Sequence, residues 1–213
     1  MSLSPPRALR ALPLTLLCAA CASPRSPEPT AAPAPKPLAT PVAAPVAAPV
    51  EARRGETGEP LALTVQSGWI EEEPASDKRK AQFRLPHAEH DTEDASLIVY
   101  YFGGTGGTRE ANLERWASQF EQPDGSSSSD LIQSSARKVG ELEVFDASLS
   151  GTYVAETAPG SGVRVNKPGW RMLASIVDTS EGPWYFKLIG PEATVAKWEA
   201  SYTAYMNSVR PGN

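Results

Sequence analysis

Aromatic residues are absent from the first 60 positions of this 213-residue chain, since every tryptophan, tyrosine and phenylalanine comes later. A hydrophobic core needs large apolar side chains, so the first 60 residues cannot build one of their own. The whole chain is long enough for one core and too short for two independent ones. We therefore predict a single globular domain over residues 61–213.

Positively charged residues are also fewer than negatively charged ones. The chain has 20 lysines and arginines against 25 aspartates and glutamates, a formal net charge of −5. Loss of a leader that contains Arg7 and Arg10 would leave 18 against 25, or −7. A nucleic-acid surface needs clustered lysines and arginines to displace counterions, so no nucleic-acid partner is expected.

Long hydrophobic runs are missing at the N-terminus. The apolar stretch from Ala11 extends about ten residues, whereas a membrane-spanning helix needs roughly 20. Arg7 and Arg10 precede this stretch and small residues follow it, as in a secretory signal. The ending "LCAAC" resembles a bacterial lipobox, in which signal peptidase cuts before a cysteine that receives lipid on its sulfur. We predict a lipoprotein signal peptide over residues 1–20 and lipidation of Cys21; an ordinary secreted protein cut nearby is the alternative.

Cysteine is nearly absent, since Cys18 and Cys21 are the only two in the chain. After cleavage and acylation at Cys21, neither a disulfide nor a free thiol remains, which excludes redox and cysteine-protease chemistry. Ala22 follows the acylated cysteine, which in lipoproteins of this kind implies the outer membrane. The bilayer is then one partner, with the domain in the periplasm or at the cell surface.

Residues 21–60 predict a lipidated, disordered tether. Residues 22–60 contain ten prolines and the repeat "TPVAAPVAAPVEA". Proline favours an extended chain of about 3.1 Å per residue, and the segment lacks large apolar groups to bury. We interpret it as a semi-rigid spacer that holds the domain away from the lipid surface.

The first half of the domain alternates between strand patterns and one helix pattern. Residues 61–70 and 81–85 predict a hairpin with a charged loop. "SLIVYYF", residues 96–102, predicts a strand buried on both faces. Residues after the glycines predict a helix of roughly three turns, capped by Thr108, with one apolar face: Leu113, Trp116, Ala117 and Phe120.

The second half predicts further strands and a closing helix. Residues 138–156 have strand patterns with bends at Gly140 and Gly151. Residues 170–179 and 183–190 predict a hairpin, and Pro191 opens a helix. One stripe of that helix faces the sheet: Val195, Trp198, Tyr202, Tyr205 and Val209. The element order predicts an α+β domain, a mainly antiparallel sheet with helices packed on it.

A family of uncharacterised bacterial envelope lipoproteins resembles this chain over about residues 66–209, through the phrases "AQFRLP", "LIVYYFGG", "ANLERWASQFEQPDG", "SGTYVA", "NKPGWRMLA" and "FKLIGPEATVAKW". In fold, the element order is similar to the PsbP-type α/β/α sandwich of an extrinsic photosystem II subunit. The resemblance implies a binding or accessory role, with no catalytic residues and no cofactor to transfer.

The run "GGTGGTRE" is the first candidate site. Backbone N–H groups at a helix N-terminus can bind an anion, and Arg109 could assist. The run lacks the lysine of a P-loop and the last glycine of a dinucleotide fingerprint, so a turn with a cap is the favoured interpretation. Positive φ angles at Gly104 and Gly106 would agree with it. The residues of this candidate anion site are Gly104, Gly106, Gly107, Thr108 and Arg109.

Two other loops carry candidate sites. "PHAEHDTED" holds both histidines among carboxylates and could bind Zn²⁺ or a similar ion, although a solvated acidic loop is favoured. Its candidate ligands are His87, His90, Asp91 and Asp94. "GSGVRVNKPGWR" holds a basic cluster beside Trp170 that could stack on an anionic or sugar-like ligand, although a loop whose tryptophan enters the core is favoured. Its residues are Arg164, Lys167 and Arg171.

Three functions remain open. The leading hypothesis is an outer-membrane lipoprotein whose non-catalytic domain binds an unknown envelope protein or wall component. The alternatives are a periplasmic metal-assisted hydrolase acting through residues 87–94, and a binder of a small anion at the 103–109 turn. A concave pocket that joins this turn to the basic loop would favour a small ligand, and a flat exposed aromatic patch would favour a protein.

We expect the change Cys21→Ala to move the protein from the membrane fraction to the soluble fraction, because it removes the lipidated thiol. Cys18→Ala is the matched control and should leave the protein in the membrane fraction. Cell fractionation with immunoblotting measures both. Unchanged membrane association of the Cys21 variant would contradict the prediction.

Overall fold

The structure, a computed structural model, describes residues 50–51, 61–158 and 160–212. The predicted signal peptide, Cys21 and most of the predicted tether lie outside these residues. The strands are β1 (Val50–Glu51), β2 (Leu61–Ala62), β3 (Thr64–Val65), β4 (Ile70–Glu72), β5 (Arg79–Leu85), β6 (Ala95–Tyr101), β7 (Phe120–Glu121), β8 (Gln133–Val139), β9 (Leu142–Tyr153), β10 (Lys167–Asp178), β11 (Trp184–Pro191) and β12 (Arg210–Pro211). The helices are α1 (Arg109–Ala117), α2 (Ser128–Leu131) and α3 (Glu192–Asn207).

The main sheet has the strand order β4-β5-β6-β11-β10-β9-β7, and β8 also pairs with β9. All of its pairings are antiparallel. β10 and β11 form the predicted hairpin, with Val177 opposite Trp184 at the turn. The prediction of an α+β domain with a mainly antiparallel sheet is confirmed.

Two layers of helix cover the two faces of this sheet. Because successive strand residues point to opposite faces, β11 contributes to two separate cores. Trp184, Phe186 and Leu188 pack with residues of α3 on one face. Tyr185 and Ile189 pack with Trp116 and Ala117 of α1 on the other. The predicted α/β/α layering is therefore present, and the two faces are called the α3 face and the α1 face below.

The strand β6 departs from its prediction of burial on both faces. Leu97 and Val99 are buried on the α3 face, whereas Ile98 and Tyr100 are only partly buried on the α1 face. α1 has nine residues, so it covers only part of the sheet. The uncovered part of the α1 face lies next to β6.

The helix α1 is shorter than predicted. The Thr108 hydroxyl accepts the N–H of Ala111 at 3.2 Å, which confirms the predicted N-cap. The helix ends at Ala117, and Phe120 lies in β7, where it pairs with Tyr153 of β9. The predicted helical position of Phe120 was wrong because this strand pairing competes with the helix, yet the side chain is buried as expected.

The helix α3 confirms most of its predicted stripe: Trp198 is only partly buried, and Val209 lies beyond the end of the helix, although it is buried in the same core. Val195, Tyr202 and Tyr205 are buried against the α3 face. Pro191 is the N-cap rather than the first helical residue. The carboxylate of Asp91 replaces the missing cap, because its Oδ2 accepts the N–H of Thr194 at 2.8 Å.

The N-terminal strand predicted over residues 61–70 is broken into β2, β3 and β4. Only β4 pairs with β5 to form the predicted hairpin. β2 pairs with β12, and β3 pairs with β1, which falls within the segment predicted as a tether. Gly68 has a φ of 84°, and an added Cβ there would lie 2.9 Å from the ring of Trp198. The chain turns at this glycine so that Trp69 can enter the core.

The glycine turn between β6 and α1 uses its glycines for two different reasons. Gly103, Gly104 and Gly107 have φ angles of 59°, 80° and 82°, which side-chain-bearing residues seldom adopt. The prediction is confirmed for Gly104 and wrong for Gly106, which lies outside the left-handed region. At Gly106 a Cβ would lie 2.3 Å from the hydroxyl of Tyr185, so this glycine is needed for space.

Substitutions at Gly103 and Gly106 should separate these two reasons. Gly103→Ala should lower the free energy of unfolding by about 1 kcal/mol, and Gly103→Asn by less, since asparagine tolerates the left-handed conformation. Gly106→Ala should lower it by about 1–3 kcal/mol through overpacking, and Gly106→Asn at least as much. Urea unfolding measures all four. A higher free energy of unfolding for Gly106→Asn than for Gly106→Ala would contradict the steric explanation.

Candidate functional site

The candidate anion site at the glycine turn has structural partners for its polar groups. The guanidinium of Arg109 forms ion pairs with Asp178 and, at 3.4 Å, with Glu143. The carbonyl of Gly107 accepts the Tyr185 hydroxyl at 3.2 Å. Asn112, which is 2% exposed, donates to the carbonyl of Gly106 at 2.9 Å. The positive charge of Arg109 is thus neutralised by two carboxylates.

The four candidate metal ligands do not converge. Asp91 caps α3, and His90 is exposed. His87 Nδ1 lies 2.7 Å from Asp94 Oδ1, and Arg84 Nη1 lies 2.8 Å from Asp94 Oδ2. The hydrogen bond from Arg84, with further bonds from His87, lowers the pKa of Asp94 to about 2. In the part of the chain that the structure describes, no three His, Cys, Asp or Glu side chains are grouped so as to hold a metal ion.

The predicted basic cluster is divided among separate acidic partners. Lys167 Nζ lies 2.6 Å from Glu93 Oε1. Arg171 makes two hydrogen bonds of 2.8 Å to Glu199 on the α3 face. Arg164 lies 3.8 Å from Glu121, with both side chains at least half exposed. The three residues therefore do not form one site.

Trp170, the aromatic residue of the same loop, is partly buried. Its ring stacks on Tyr153 with centroids 5.4 Å apart and an interplanar angle of 3°. Lys167 Nζ lies 5.9 Å from the centroid of the Trp170 ring. Trp170 thus packs at the start of β10, as the favoured interpretation expected.

A pocket of about 730 Å³ opens on the α1 face where α1 leaves the sheet uncovered. This α1-face pocket has four cationic side chains in its wall: Arg79, Arg115, Arg164 and Lys187. Its aromatic lining residues are Tyr100, Phe102, Trp116, Tyr153 and Tyr185. Ligand pockets in proteins commonly have volumes of about 300–1,000 Å³. The volume and lining thus suit an organic ligand that carries negative charge.

The four cations of the pocket wall come from four separate parts of the chain. Lys187 and Tyr185 alternate with core residues along β11, so both point to the α1 face. Arg79 begins β5, Arg115 lies in the last turn of α1, and Arg164 precedes β10. Of the residues predicted as binding residues, only Arg164 lines this pocket.

Three of the cations have neutral hydrogen-bond partners. Arg79 donates to Gln82 at 2.7 Å, Arg115 donates to Asn112 Oδ1, and Lys187 donates to Gln119 Oε1. Among the described residues, no carboxylate lies within ion-pair distance of these three side chains. Their charges are therefore available to an anion.

Glu156, the acidic residue in the pocket lining, accepts a hydrogen bond from the backbone and forms no ion pair with the cations of the pocket. Glu156 Oε2 accepts the N–H of Gly160 at 2.7 Å. With one carboxylate against four cations, the pocket is positively charged in a chain whose net charge is −5. Such a local reversal of sign attracts an anion.

Lys187 has the strongest electrostatic perturbation in the pocket. Burial, together with the positive charge of Arg115, lowers the pKa of Lys187 from 10.5 to about 7. A buried ammonium group without a carboxylate partner destabilises a folded protein. An anionic ligand would supply the missing counter-charge and raise this pKa again.

Sequence reasoning missed Arg79, Arg115 and Lys187. One signal was present: Lys187 is the charged residue within "PWYFKLIG", a run that otherwise predicts a buried strand. A lysine in such a run must either reach solvent or line a cavity. Arg79 and Arg115 gave no comparable signal, because each lies in a segment rich in charge.

A second groove, of about 400 Å³, lies between β8, β9 and α3 on the other side of the sheet. Its charged groups neutralise one another. Arg137 Nε lies 2.6 Å from Asp146 Oδ2, and Arg171 pairs with Glu199. Ser175 donates to Asp146 at 2.5 Å and contacts the Tyr202 hydroxyl at 2.9 Å. These contacts explain the groove as packing between helix and sheet.

Comparison with solved structures gives a similar fold. No family model and no curated protein matches this chain. Among solved structures, the chain is similar to the solution structure of cyanobacterial PsbP (CyanoP) from Synechocystis sp. PCC 6803, with 16% identity and a TM-score of 0.46. The match covers 83% of this chain and 99% of the other. This neighbour is of the PsbP type named from the sequence, and the likeness transfers no residue, ligand or partner. Within the described residues, no helix has the length and apolar character needed to cross a membrane.

Proposed function

We propose that this chain is a lipid-anchored envelope protein whose domain binds an organic anion in the α1-face pocket without catalysing a reaction. The lipobox ending at Cys21 and the proline-rich segment over residues 22–60 support the anchor and the tether. The pocket supports the binding role. An envelope protein or wall component is the other partner class predicted from the sequence, and a carboxylate of such a partner would suit the same pocket.

The observation that carries this proposal is the set of cations without acidic partners. Arg79, Arg115 and Lys187 point into one concavity and make hydrogen bonds only to neutral groups. On the α3 face, by contrast, Arg137 and Arg171 each have a carboxylate partner. Charge that a protein leaves unneutralised in a cavity is available for a ligand.

The surface gives less support to a flat protein-docking patch. Among the described residues, the large apolar side chains that are exposed by more than a third are Ile70, Leu131 and Val163, and none of them is aromatic. The α1-face pocket begins at Phe102, directly before the glycine turn, and reaches Arg164 of the basic loop. None of residues 103–109 lines the pocket, so it does not join the glycine turn to the basic loop as predicted, and its concave shape alone favours a small ligand.

The hydrolase alternative has less support. In residues 61–158 and 160–212, the histidine rings make no hydrogen bond to a serine or threonine hydroxyl, and His87 is bonded to Asp94. A nucleophile activated by a base requires such a hydrogen bond. The pocket lining, in addition, contains no histidine. We therefore assign the pocket to binding.

Anion binding should depend on pH through Lys187. Sulfate is a suitable probe because its own charge is constant between pH 5 and 9. Its affinity should be highest below pH 7 and fall by up to about tenfold per pH unit as the Lys187 ammonium loses its proton. Lys187→Met should remove this dependence, and Lys138→Gln, which removes an exposed cation outside the pocket, should preserve it. Isothermal calorimetry measures both, and a pH-independent affinity in the unaltered protein would contradict the proposal.

Lys187 should also reduce the stability of the ligand-free protein. Its folded-state pKa of about 7 lies below the ordinary 10.5, so the free energy of unfolding should rise with pH between these values. Lys187→Met should raise that free energy by about 1 kcal/mol at pH 6, and by less at pH 9. Urea unfolding at both pH values measures the effect, with Lys138→Met as control. Destabilisation by Lys187→Met would mean that this lysine has a structural role.

A further inference from the structure

The geometry points to an aromatic acid as the ligand of the α1-face pocket: a flat ring that carries a carboxylate or phosphate group. This inference rests on the function proposed above and specifies its ligand. The cations alone require only an anion. The remainder of the pocket wall indicates what else the ligand contains.

The pocket is larger than a simple anion requires. Its volume of about 730 Å³ falls in the range of sites for organic ligands. Arg115 and Lys187 lie close enough for the charge of one to lower the pKa of the other. An inorganic anion held between them would leave much of the aromatic wall in contact with water. A ligand with an apolar part would cover that wall and gain the free energy of burial.

One side of the pocket is built from a stack of aromatic rings. Tyr100 and Phe102, two residues apart on one face of the chain, stack with centroids 5.8 Å apart and an interplanar angle of 9°. The ring of Phe102 also meets Tyr185 edge to face at 5.7 Å. Both Tyr100 and Phe102 are partly exposed to the pocket. A third flat ring could extend this stack, since aromatic rings prefer offset-stacked or edge-to-face contacts.

The part of the wall at β9 repeats the pairing of a ring with a cation. Tyr153 lines the pocket and has Lys187 Nζ at 5.5 Å from its ring centroid. On the first side, the guanidinium of Arg79 lies 5.9 Å from the Tyr100 centroid. Each aromatic wall therefore has a cation beside it. An acid group attached directly to a ring can contact the cation while the ring contacts the wall.

Two phenolic hydroxyls remain for polar contacts with the ligand. Among the hydrogen bonds of the described residues, none involves the hydroxyl of Tyr100 or of Tyr153. Burial, with a smaller contribution from Tyr100, raises the pKa of Tyr153 above its usual value. Tyr153 is therefore protonated at neutral pH and can donate to a carboxylate or phosphate oxygen.

The test compares three probes of similar charge on the purified full-length lipoprotein in detergent: phenyl phosphate, cyclohexyl phosphate and inorganic phosphate. Cyclohexyl phosphate has the same acid group as phenyl phosphate but no flat ring. We expect phenyl phosphate to bind about tenfold more tightly than cyclohexyl phosphate, because ring stacking contributes up to about 1.5 kcal/mol beyond burial. Calorimetry gives the three affinities.

Variants then locate the preference. Phe102→Leu keeps an apolar side chain but removes the flat face, so the preference for phenyl over cyclohexyl phosphate should disappear while inorganic phosphate binds as before. Tyr153→Leu removes the ring of the wall at β9 together with its hydroxyl donor, so the phenyl preference should disappear and the affinity for all three probes should fall. Phe145→Leu is the matched control, because Phe145 belongs to the α1-face core without lining the pocket. Thermal unfolding of each variant verifies that it is folded.

The outcomes separate the two proposals. Equal affinities for phenyl and cyclohexyl phosphate, with both abolished by Lys187→Met, would overturn the aromatic ligand and leave anion binding intact. Binding of none of the three probes would overturn both. A phenyl preference that survives Phe102→Leu and Tyr153→Leu would place the ring elsewhere and would also overturn this inference.

Discussion

The two-sided burial of the β10–β11 hairpin is the constraint on which the rest of this domain depends. The hairpin lies at the centre of the sheet, and its alternate residues enter two separate cores. Because both faces are apolar, each needs its own cover, which α3 and α1 supply. α3 has 16 residues and α1 has nine, so the two covers are unequal. The open area left by the shorter helix is the α1-face pocket.

The two-sided burial of the hairpin places Lys187 where its positive charge lowers the stability of the fold. Its position in β11 fixes its side chain on the α1 face, between Tyr185 and Ile189. Lys187 donates to the amide oxygen of Gln119, between α1 and β7, and is repelled by the charge of Arg115. Among the described residues, no carboxylate lies within ion-pair distance of it. Natural proteins keep such unfavourable groups mainly where they bind or react. The loss of stability caused by the Lys187 charge is thus the strongest argument that this residue binds a ligand.

The cations on the two faces of the sheet have different kinds of hydrogen-bond partner. On the α3 face, the guanidinium of Arg171 is matched by both carboxylate oxygens of Glu199. In the α1-face pocket, Arg115 and Arg79 have amide oxygens as partners. The chain is acidic overall, so carboxylates were available for pairing. Their absence beside these cations gives the pocket a positive field within a negative protein.

The sequence by itself determined the local structure: the antiparallel hairpin, the Thr108 cap, the apolar stripe of α3 and the α+β class. These follow from periodicity and from hydrogen bonds between near neighbours, which a linear pattern contains. Only the tertiary structure decided which charges are free. Arg109 and Lys167 were candidates for binding, and folding gave them Asp178 and Glu93 as partners from 69 and 74 residues away. Folding likewise brought Lys187 together with Arg79 and Arg115 from separate strands and a helix. Whether a cation is neutralised depends on carboxylates that are distant in sequence and become neighbours only in the fold. The spacing of residues along the chain therefore does not identify the partner.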